Sequence, residues 1–344
     1  MPTLPETLLN WYDKHLRSFP WRAAPGHQPN PYYVWLSEIM LQQTTTMTVR
    51  DYFLKFITKW PTIQDLGKAD LDDILVMWQG LGYYARARNL YKCAQVICQK
   101  GGGFPNSYDA LSELPGVGPY TAAAIAAIAF DQPVGPVDGN IIRVLSRVYA
   151  INTPMPSGKA IIQTHIDKLV PKNRPGDFAQ ALMDLGATVC TPKKPNCTEC
   201  PWSSDCKAFL RGVAENFPVK DPKRTKPTKH AYAFVIRNQK GQIYLRKRPE
   251  KGLLANMMEV PSSDSIESET TLKEVLPSLP LSTTSHAEEA HQVKHTFTHF
   301  HLKLKVVQAI SSEESPNWHD QDKLSELALP TLMKKVLNVG LPIA

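Results

Sequence analysis

No stretch of this chain is both apolar and long enough to cross a bilayer. The longest run, around Ala122–Phe130, falls short of the roughly 20 residues that a spanning helix needs. The opening Met-Pro-Thr-Leu-Pro-Glu lacks the basic region and apolar core of a secretory signal, so a cytosolic setting is expected. Cysteine is sparse, six in 344 residues, and in a reducing compartment these thiols should stay reduced or bind metal rather than form disulfides. Acidic residues are the minority sign, 32 against 39 Lys and Arg, and the net charge of +7 favours a polyanionic partner. Internal repeats are lacking, and strand-like alternation is scarce before about residue 210.

What is present is a soluble globular composition, 42% hydrophobic and 21% charged, with length for two domains. Helical spacing predicts helices over Leu8–Leu16, Tyr33 to about Tyr52, Leu71–Trp78, Ala85–Gln99, Tyr108–Leu114, Ile141–Tyr149, Ile161–Leu169 and Phe178–Val189. From Gly212 to about Lys229 the chain turns Pro-rich and basic, with Lys220, Lys223, Arg224, Lys226 and Lys229, as an interdomain linker would. Beyond it, Ala231–Arg237 and Gln242–Arg248 read as strands joined by a turn at Lys240-Gly241, and His301–Val307 alternates again. The expected division is a helical region 1–211, a linker 212–229 and an α+β domain 230–344.

The helical region is organised around Leu114–Asn140. Pro115, Gly116 and Gly118 exclude a continuous helix, and Pro119 suits the first turn of a new one. Gly116, Val117 and Gly118 would then leave backbone N–H groups at a helix N-terminus, a site for an anion such as a DNA phosphate. On the residues alone Pro-Gly-Val-Gly is more often a plain turn than a phosphate clamp. A segment bent by Pro133, Gly135 and Pro136 next presents Asp138, either as N-cap of the following helix or as a functional carboxylate.

Cys190, Cys197, Cys200 and Cys206 follow a C-x6-C-x2-C-x5-C spacing, tight enough to mean a metal site. Zinc is the generic expectation for four cysteines, although zinc modules usually use two knuckles and this spacing holds one. Cys93 and Cys98, on an apolar helix, read as buried and inert.

The hairpin, the Val-Asp-Gly-Asn segment and the four-cysteine loop together resemble the endonuclease III superfamily of helix-hairpin-helix DNA glycosylases. Trp35-Leu-Ser-Glu-Ile-Met-Leu-Gln-Gln-Thr44 and Gln79-Gly-Leu-Gly-Tyr-Tyr-Ala-Arg86 narrow the resemblance to its MutY branch, the adenine DNA glycosylases. The resemblance covers almost the whole chain and implies a mainly helical glycosylase domain followed by a Nudix-like (MutT-like) α+β domain. It moves the metal from zinc to a [4Fe–4S] cluster on the four cysteines. It implies as partner double-stranded DNA with adenine opposite 8-oxoguanine or guanine, a monomeric enzyme and a bacterial cytosol, nucleoid-associated when bound to DNA.

Glu38 can also be read without the family. Its helical neighbours are Val34, Trp35, Leu41 and Gln42, so its carboxylate is desolvated and should hold a proton near neutrality. By resemblance Glu38 protonates adenine N7, and Asp138 is the ionised partner of an oxocarbenium-like sugar, a division of labour known from sugar hydrolases. Tyr120 and Asn140 match positions lining the family's active site. Lyases of the superfamily carry Lys where this chain has Tyr120, so strand cleavage is not expected. Trp21, Arg22 and Gln180 match the adenine pocket. Gln43, Thr44, Leu81, Tyr83, Gly116, Val117 and Gly118 match DNA contacts, with Gln43 and Tyr83 wedging into the base stack around a flipped adenine.

In the second domain, His295-Thr-Phe-Thr-His-Phe-His301 resembles the family's 8-oxoguanine loop, with Phe297, Thr298 and His299 at its tip. Thr298 stands where Ser is usual, and Met257-Met258 replace a Leu-Trp pair. The Nudix metal-binding pattern is missing after Gly252, which argues against pyrophosphate hydrolysis. The reading is a monofunctional adenine glycosylase. A glycosylase with lyase activity is disfavoured by Tyr120, and a non-catalytic iron–sulfur DNA-binding protein by the pairing of Glu38 with Asp138.

Overall fold

The computed structural model describes residues 2–24, 27–222, 225–269, 271–283, 285–286 and 291–341; Lys223 and Arg224 of the expected linker lie outside them. The described chain forms two compact units. One comprises residues 1–68 and 89–223, the other residues 69–88 and 224–344.

The helices before the cysteine loop are α1 (Leu4–His15), α2 (Pro31–Leu41), α3 (Thr46–Lys59), α4 (Ile63–Gly67), α5 (Leu71–Met77), α6 (Ala85–Gln99), α7 (Tyr108–Ser112), α8 (Pro119–Phe130), α9 (Gly139–Tyr149), α10 (Lys159–Leu169) and α11 (Pro175–Thr188). The short α12 (Lys207–Leu210) follows the loop. The single helix expected over Tyr33–Tyr52 is in fact two. Gln43 adopts a left-handed conformation at φ 58°, and Thr45 caps α3 by accepting from the Thr48 N–H. No Gly or Pro marks that break; three consecutive threonines do.

α8 is buried from Thr121 to Ala129, and its small side chains let neighbouring backbones approach. A Cβ on Gly176 of α11 would sit 2.6 Å from the Ala127 carbonyl oxygen, so α11 packs directly on α8. α9 packs its face of Ile141, Val144, Leu145 and Val148 into the core built with Phe178, Leu182 and Leu185 of α11. Trp202 of the cysteine loop is fully buried in that core and donates its indole N–H to the Leu4 carbonyl, tying the loop to α1.

The second unit is built on β1 (Thr228–Arg237). Among its other strands are β2 (Ile243–Tyr244), β3 (Arg246–Lys247), β4 (Met258–Glu259), β5 (Ser285–His286), β6 (His291–Thr296), β7 (His301–Ile310) and β8 (Trp318–His319). β1 runs parallel to β7, from Thr228 opposite His301 to Arg237 opposite Ile310, and β6 and β5 pair antiparallel with β7. The expected hairpin at Lys240-Gly241 is there, Arg237 opposite Ile243, with Asn238 accepting from the Lys240 and Gln242 N–H groups. The expected second strand is broken at Leu245 into β2 and β3.

Both faces of β1 are covered. Ala231, Ala233 and Val235 pack with Leu332, Met333, Val336 and Leu337 of the C-terminal α14 (Thr331–Gly340), which follows the short α13 (Leu272–Val275). Tyr232, Phe234 and Ile236 face the opposite way, into a cluster with Val275 and Val307. Met257 is fully buried and Met258 packs half-buried on the α14 side, so apolar side chains fill both positions of the replaced pair.

Candidate active site and iron–sulfur loop

α2 starts with Asn30 accepting from the Tyr32 N–H and with Pro31 in its first turn. It is then buried from Val34 to Met40, and the one acidic side chain in that run is Glu38, 6% exposed. Loss of hydration pushes the Glu38 carboxyl up to about 7, and the nearby Asp138 charge adds to the rise. A hydrogen bond from Tyr120 and the charge of Arg22 pull the other way. The Tyr120 hydroxyl donates to Glu38 Oε2 at 2.8 Å from the first turn of α8.

Asp138 has two places in the structure. It is the N-cap of α9, accepting from the Ile141 N–H at 2.7 Å, and it also lines the cavity that holds Glu38. Burial raises its carboxyl, while donors at Ile141 and Asn140 favour the charged form; Asn140 Nδ2 lies 2.9 Å from Oδ2. This cavity of about 950 Å³ brings together Glu38, Tyr120, Asp138 and Asn140 with Trp21, Arg22 and Gln180.

Arg22 does not stand free over Glu38. Its two terminal nitrogens reach the two oxygens of Asp184 at 2.7 and 2.9 Å, and Arg17 Nε joins at 2.7 Å. Asp184 is fully buried on α11, so this fork fixes the segment from Arg17 to Arg22 against that helix. Trp21 is 7% exposed, stacked on Phe19 at 4.9 Å and set edge-on to Phe53 at 5.4 Å. Sequence reasoning missed Asp184, whose partners are remote in the chain; an acid on the apolar face of a helix was the available signal.

In the hairpin, Gly116 is required at φ +76°, where a Cβ would also sit 2.6 Å from Asn89 Cβ. Gly118 caps α8 without a side chain, and both glycines are exposed. The expected set of free N–H groups is narrower than the motif suggested. The Val117 N–H donates to the Leu114 carbonyl and its side chain is buried, so Val117 shapes the turn. Gln43 is exposed at its left-handed kink, with Thr44 half-buried beside it; both line the cavity mouth.

In the other unit, Tyr83 is 48% exposed at φ 47°, after Gly82 at φ 68°. Arg86 holds this turn by donating to the Leu81 and Gly82 carbonyls, with its guanidinium 5.7 Å from the Tyr83 ring centre. Leu81, expected at a DNA surface, is 5% exposed and anchors the turn from inside. At the β6–β7 turn, the Phe297 N–H donates to the Phe300 carbonyl, which leaves Thr298 and His299 exposed at the tip. Phe297 and Phe300 lie half-buried with ring centres 4.9 Å apart, and Lys226 Nζ donates to the Phe297 carbonyl. The Nudix signature has no counterpart: Glu259, 2% exposed, is paired with Arg246 and Arg248.

The four cysteines line one small cavity of about 20 Å³ closed by Val144, Val148, Leu185 and Trp202. Arg147, 1% exposed, places Nη1 3.2 Å from Cys190 Sγ and donates to the Thr191 and Pro192 carbonyls. Four thiols under an apolar roof with one buried cation suit an anionic thiolate-held group. Among the described residues no three of His, Cys, Asp or Glu are grouped to hold a single metal ion. A cluster of several irons sets its thiolates farther apart than a single ion does. Nor is any helix of the described residues long and apolar enough to cross a membrane.

A helical glycosylase core, a cysteine loop and a Nudix-like sheet define a base-excision repair class, and comparison with known proteins agrees. Residues 36–172 match the HhH-GPD superfamily of base excision DNA repair proteins, 190–206 the iron–sulfur binding domain of endonuclease III, and 232–339 the NUDIX domain. The adenine DNA glycosylase of Rattus norvegicus is 37% identical over 96% of this chain and 77% of its own. That of Buchnera aphidicola (Baizongia pistaciae) is 34% identical over 97% of this chain and 95% of its own. A solved thermostable thymine-DNA glycosylase superposes with a TM-score of 0.54 at 32% identity, covering 60% of this chain and 95% of that one. The chain belongs to the adenine DNA glycosylase family.

Proposed function

We propose that this chain excises adenine mispaired with 8-oxoguanine or guanine by hydrolysis of the N-glycosidic bond, without lyase chemistry. The observation that carries the reading is Glu38, a buried acid raised to about 7 in the same cavity as Asp138. An acid of that strength is still about half protonated at neutral pH and can yield its proton to a purine nitrogen.

With adenine flipped into the cavity, Glu38 gives its proton to N7, and the C1′–N9 electron pair leaves with the base. The sugar gains oxocarbenium character, which the Asp138 carboxylate stabilises. Water adds at C1′ and releases a proton, leaving an abasic site. Tyr120 holds Glu38 in place and offers no amine for an imine, so the strand stays whole. Arg22, locked by Asp184, and Gln180 give the base edge fixed polar partners.

Cys190, Cys197, Cys200 and Cys206 would hold a [4Fe–4S] cluster, which supplies a covalent brace for their loop and no redox step in hydrolysis. Exposed Gln43 and Tyr83 support a wedging role in DNA, and the Phe297–His299 tip supports lesion reading. We place the domain division at the basic segment 212–229 and take the enzyme to be a cytoplasmic monomer acting on double-stranded DNA. The test is base release from A:8-oxoguanine, A:G and A:C duplexes, with and without alkali. The reading requires release from the first two and strand breaks only after alkali; breaks before alkali, or no abasic sites at all, overturn it.

A further inference from the structure

A second cavity, of about 670 Å³, lies behind the one that holds Glu38, and nothing in the reaction just derived uses it. The two share Gln180 and Ile128 as walls. The segment after α1 passes from one to the other: Trp21 and Arg22 line the first, Ala23 and Ala24 the second. α11 does the same along one helical face, with Gly176 and Asp177 on the second, Gln180 on both, and Met183 and Ala187 on the first. α8 also runs past both, from Pro119–Thr121 at the first to Ala129–Asp131 at the second. Two helices and one loop therefore flank both cavities, and the Gln180 side chain lines each of them.

We propose that this rear cavity is the exit for the free purine base after bond cleavage. The proposal rests on the glycosylase reading. In that reading product DNA covers the front, where Gln43, Gly116 and Gly118 line the mouth, while the cleaved base lies deepest, against Trp21, Arg22 and Gln180. Adenine is then neutral, planar and free of the sugar, and its way forward is blocked by the abasic strand. Behind it stand an amide that can both donate and accept, and further polar groups at Asn106, Gln28 and Asp131. Asp13, Arg174 and Asp177 form an ion-paired rim on this cavity, with Arg174 Nε 2.8 Å from Asp177. Ala24 and Gln28 are exposed at its lining, away from the reacting carboxylates.

The experiment uses a duplex carrying radiolabelled adenine opposite 8-oxoguanine, with full-length holoenzyme in excess. Bond cleavage is read by alkali after acid quench, and escaped base by rapid filtration that retains protein–DNA complexes. In the wild type the two curves coincide. In Ala24→Trp and, independently, Gln28→Trp, escape lags cleavage by about tenfold, because the bulky ring narrows the exit without touching the front. If escape keeps pace with cleavage in both variants, the base leaves another way and the proposal falls. An absence of cleavage in the wild type is a different result, and it overturns the glycosylase reading itself.

Discussion

Arg143 joins the active-site loop to the cysteine loop: Nη2 donates to Asn140 Oδ1 at 2.9 Å, and Nε donates to the Cys190 carbonyl at 2.7 Å. Asn140 in turn donates to Asp138, so one side chain separates the hydrogen-bond partner of the Asp138 carboxylate from Cys190. The same guanidinium donates to the Gly186 carbonyl, where a Cβ would lie 2.6 Å from Asn140 Cβ.

Arg143→Ala is therefore expected to lower adenine release and iron content together. It leaves the Cys190 and Gly186 carbonyls and the Asn140 amide short of a donor, each a loss of about 1–3 kcal/mol if left buried and unsatisfied. Iron and sulfide analysis, alongside single-turnover base release, checks this. Full iron with full activity would show that Arg143 merely fills space. The purified wild type should be brown, with about four irons per chain and little zinc.

Glu38 is expected to set the alkaline side of the pH profile. In the proposed mechanism its protonated form is the active one, so single-turnover release should fall as pH rises through about 7. Tyr120 donates to the charged carboxylate and lowers its pKa, so Tyr120→Phe should move this fall to higher pH. Stability follows the same sign. The carboxyl is raised from 4.5 to about 7, so its favourable share is complete below about 4.5 and disappears as pH climbs through about 7. Glu38→Gln should then melt above the wild type at pH 8, by roughly 3 kcal/mol at most, and lose most of that margin by pH 5. Melting curves that do not depend on pH would remove Glu38 from its assigned state.

Much of this was legible because it is local. Pro115, Gly116 and Gly118 impose a turn whatever surrounds them, and the buried neighbours of Glu38 lie within one helical turn of it. The break between α2 and α3 was not legible, since Gln43 takes a left-handed conformation without the usual glycine. Long-range pairings were hidden as well. Asp184 meets Arg17 and Arg22 across more than half of the helical unit, and β1 pairs with β7, far downstream. α14 carries a periodic Leu332, Met333, Val336 and Leu337 pattern, but at ten residues that pattern is too short to stand out. Leu81 and Val117 illustrate a further limit: a motif position says that a residue is needed, and only the fold says whether it faces outward.

Asp138 caps α9 and, in the proposed mechanism, also faces the sugar; two substitutions separate these roles. Asparagine caps a helix about as well as aspartate, whereas alanine gives up about 1 kcal/mol. Asp138→Asn should thus melt near the wild type while losing most single-turnover activity, at least about a hundredfold, because the charge facing the sugar is gone. Asp138→Ala should lose activity and stability together. If Asp138→Asn keeps its activity, the cap is the whole of this residue's function.

The last expectation concerns the exposed tip of the β6–β7 turn. 8-Oxoguanine differs from guanine by a carbonyl at C8 and a proton at N7, so a reader needs an acceptor where guanine would need a donor. The Thr298 hydroxyl can serve as that acceptor, and it is exposed between two half-buried phenylalanines. Those rings pack against the α14-side core, so the tip is braced from below, and Lys226 and Thr296 hold its two ends. Replacing Thr298 by Ala deletes one hydrogen bond, worth about 1 kcal/mol, and should slow A:8-oxoguanine processing several-fold while sparing A:G. Phe297→Ala with Thr298→Ala should widen the gap, since the support of the tip goes as well. Thr298→Ser keeps the hydroxyl and should behave like the wild type, which ties the effect to that group rather than to the loop's shape. Equal slowing of both substrates by the double variant would make this turn a general DNA clamp.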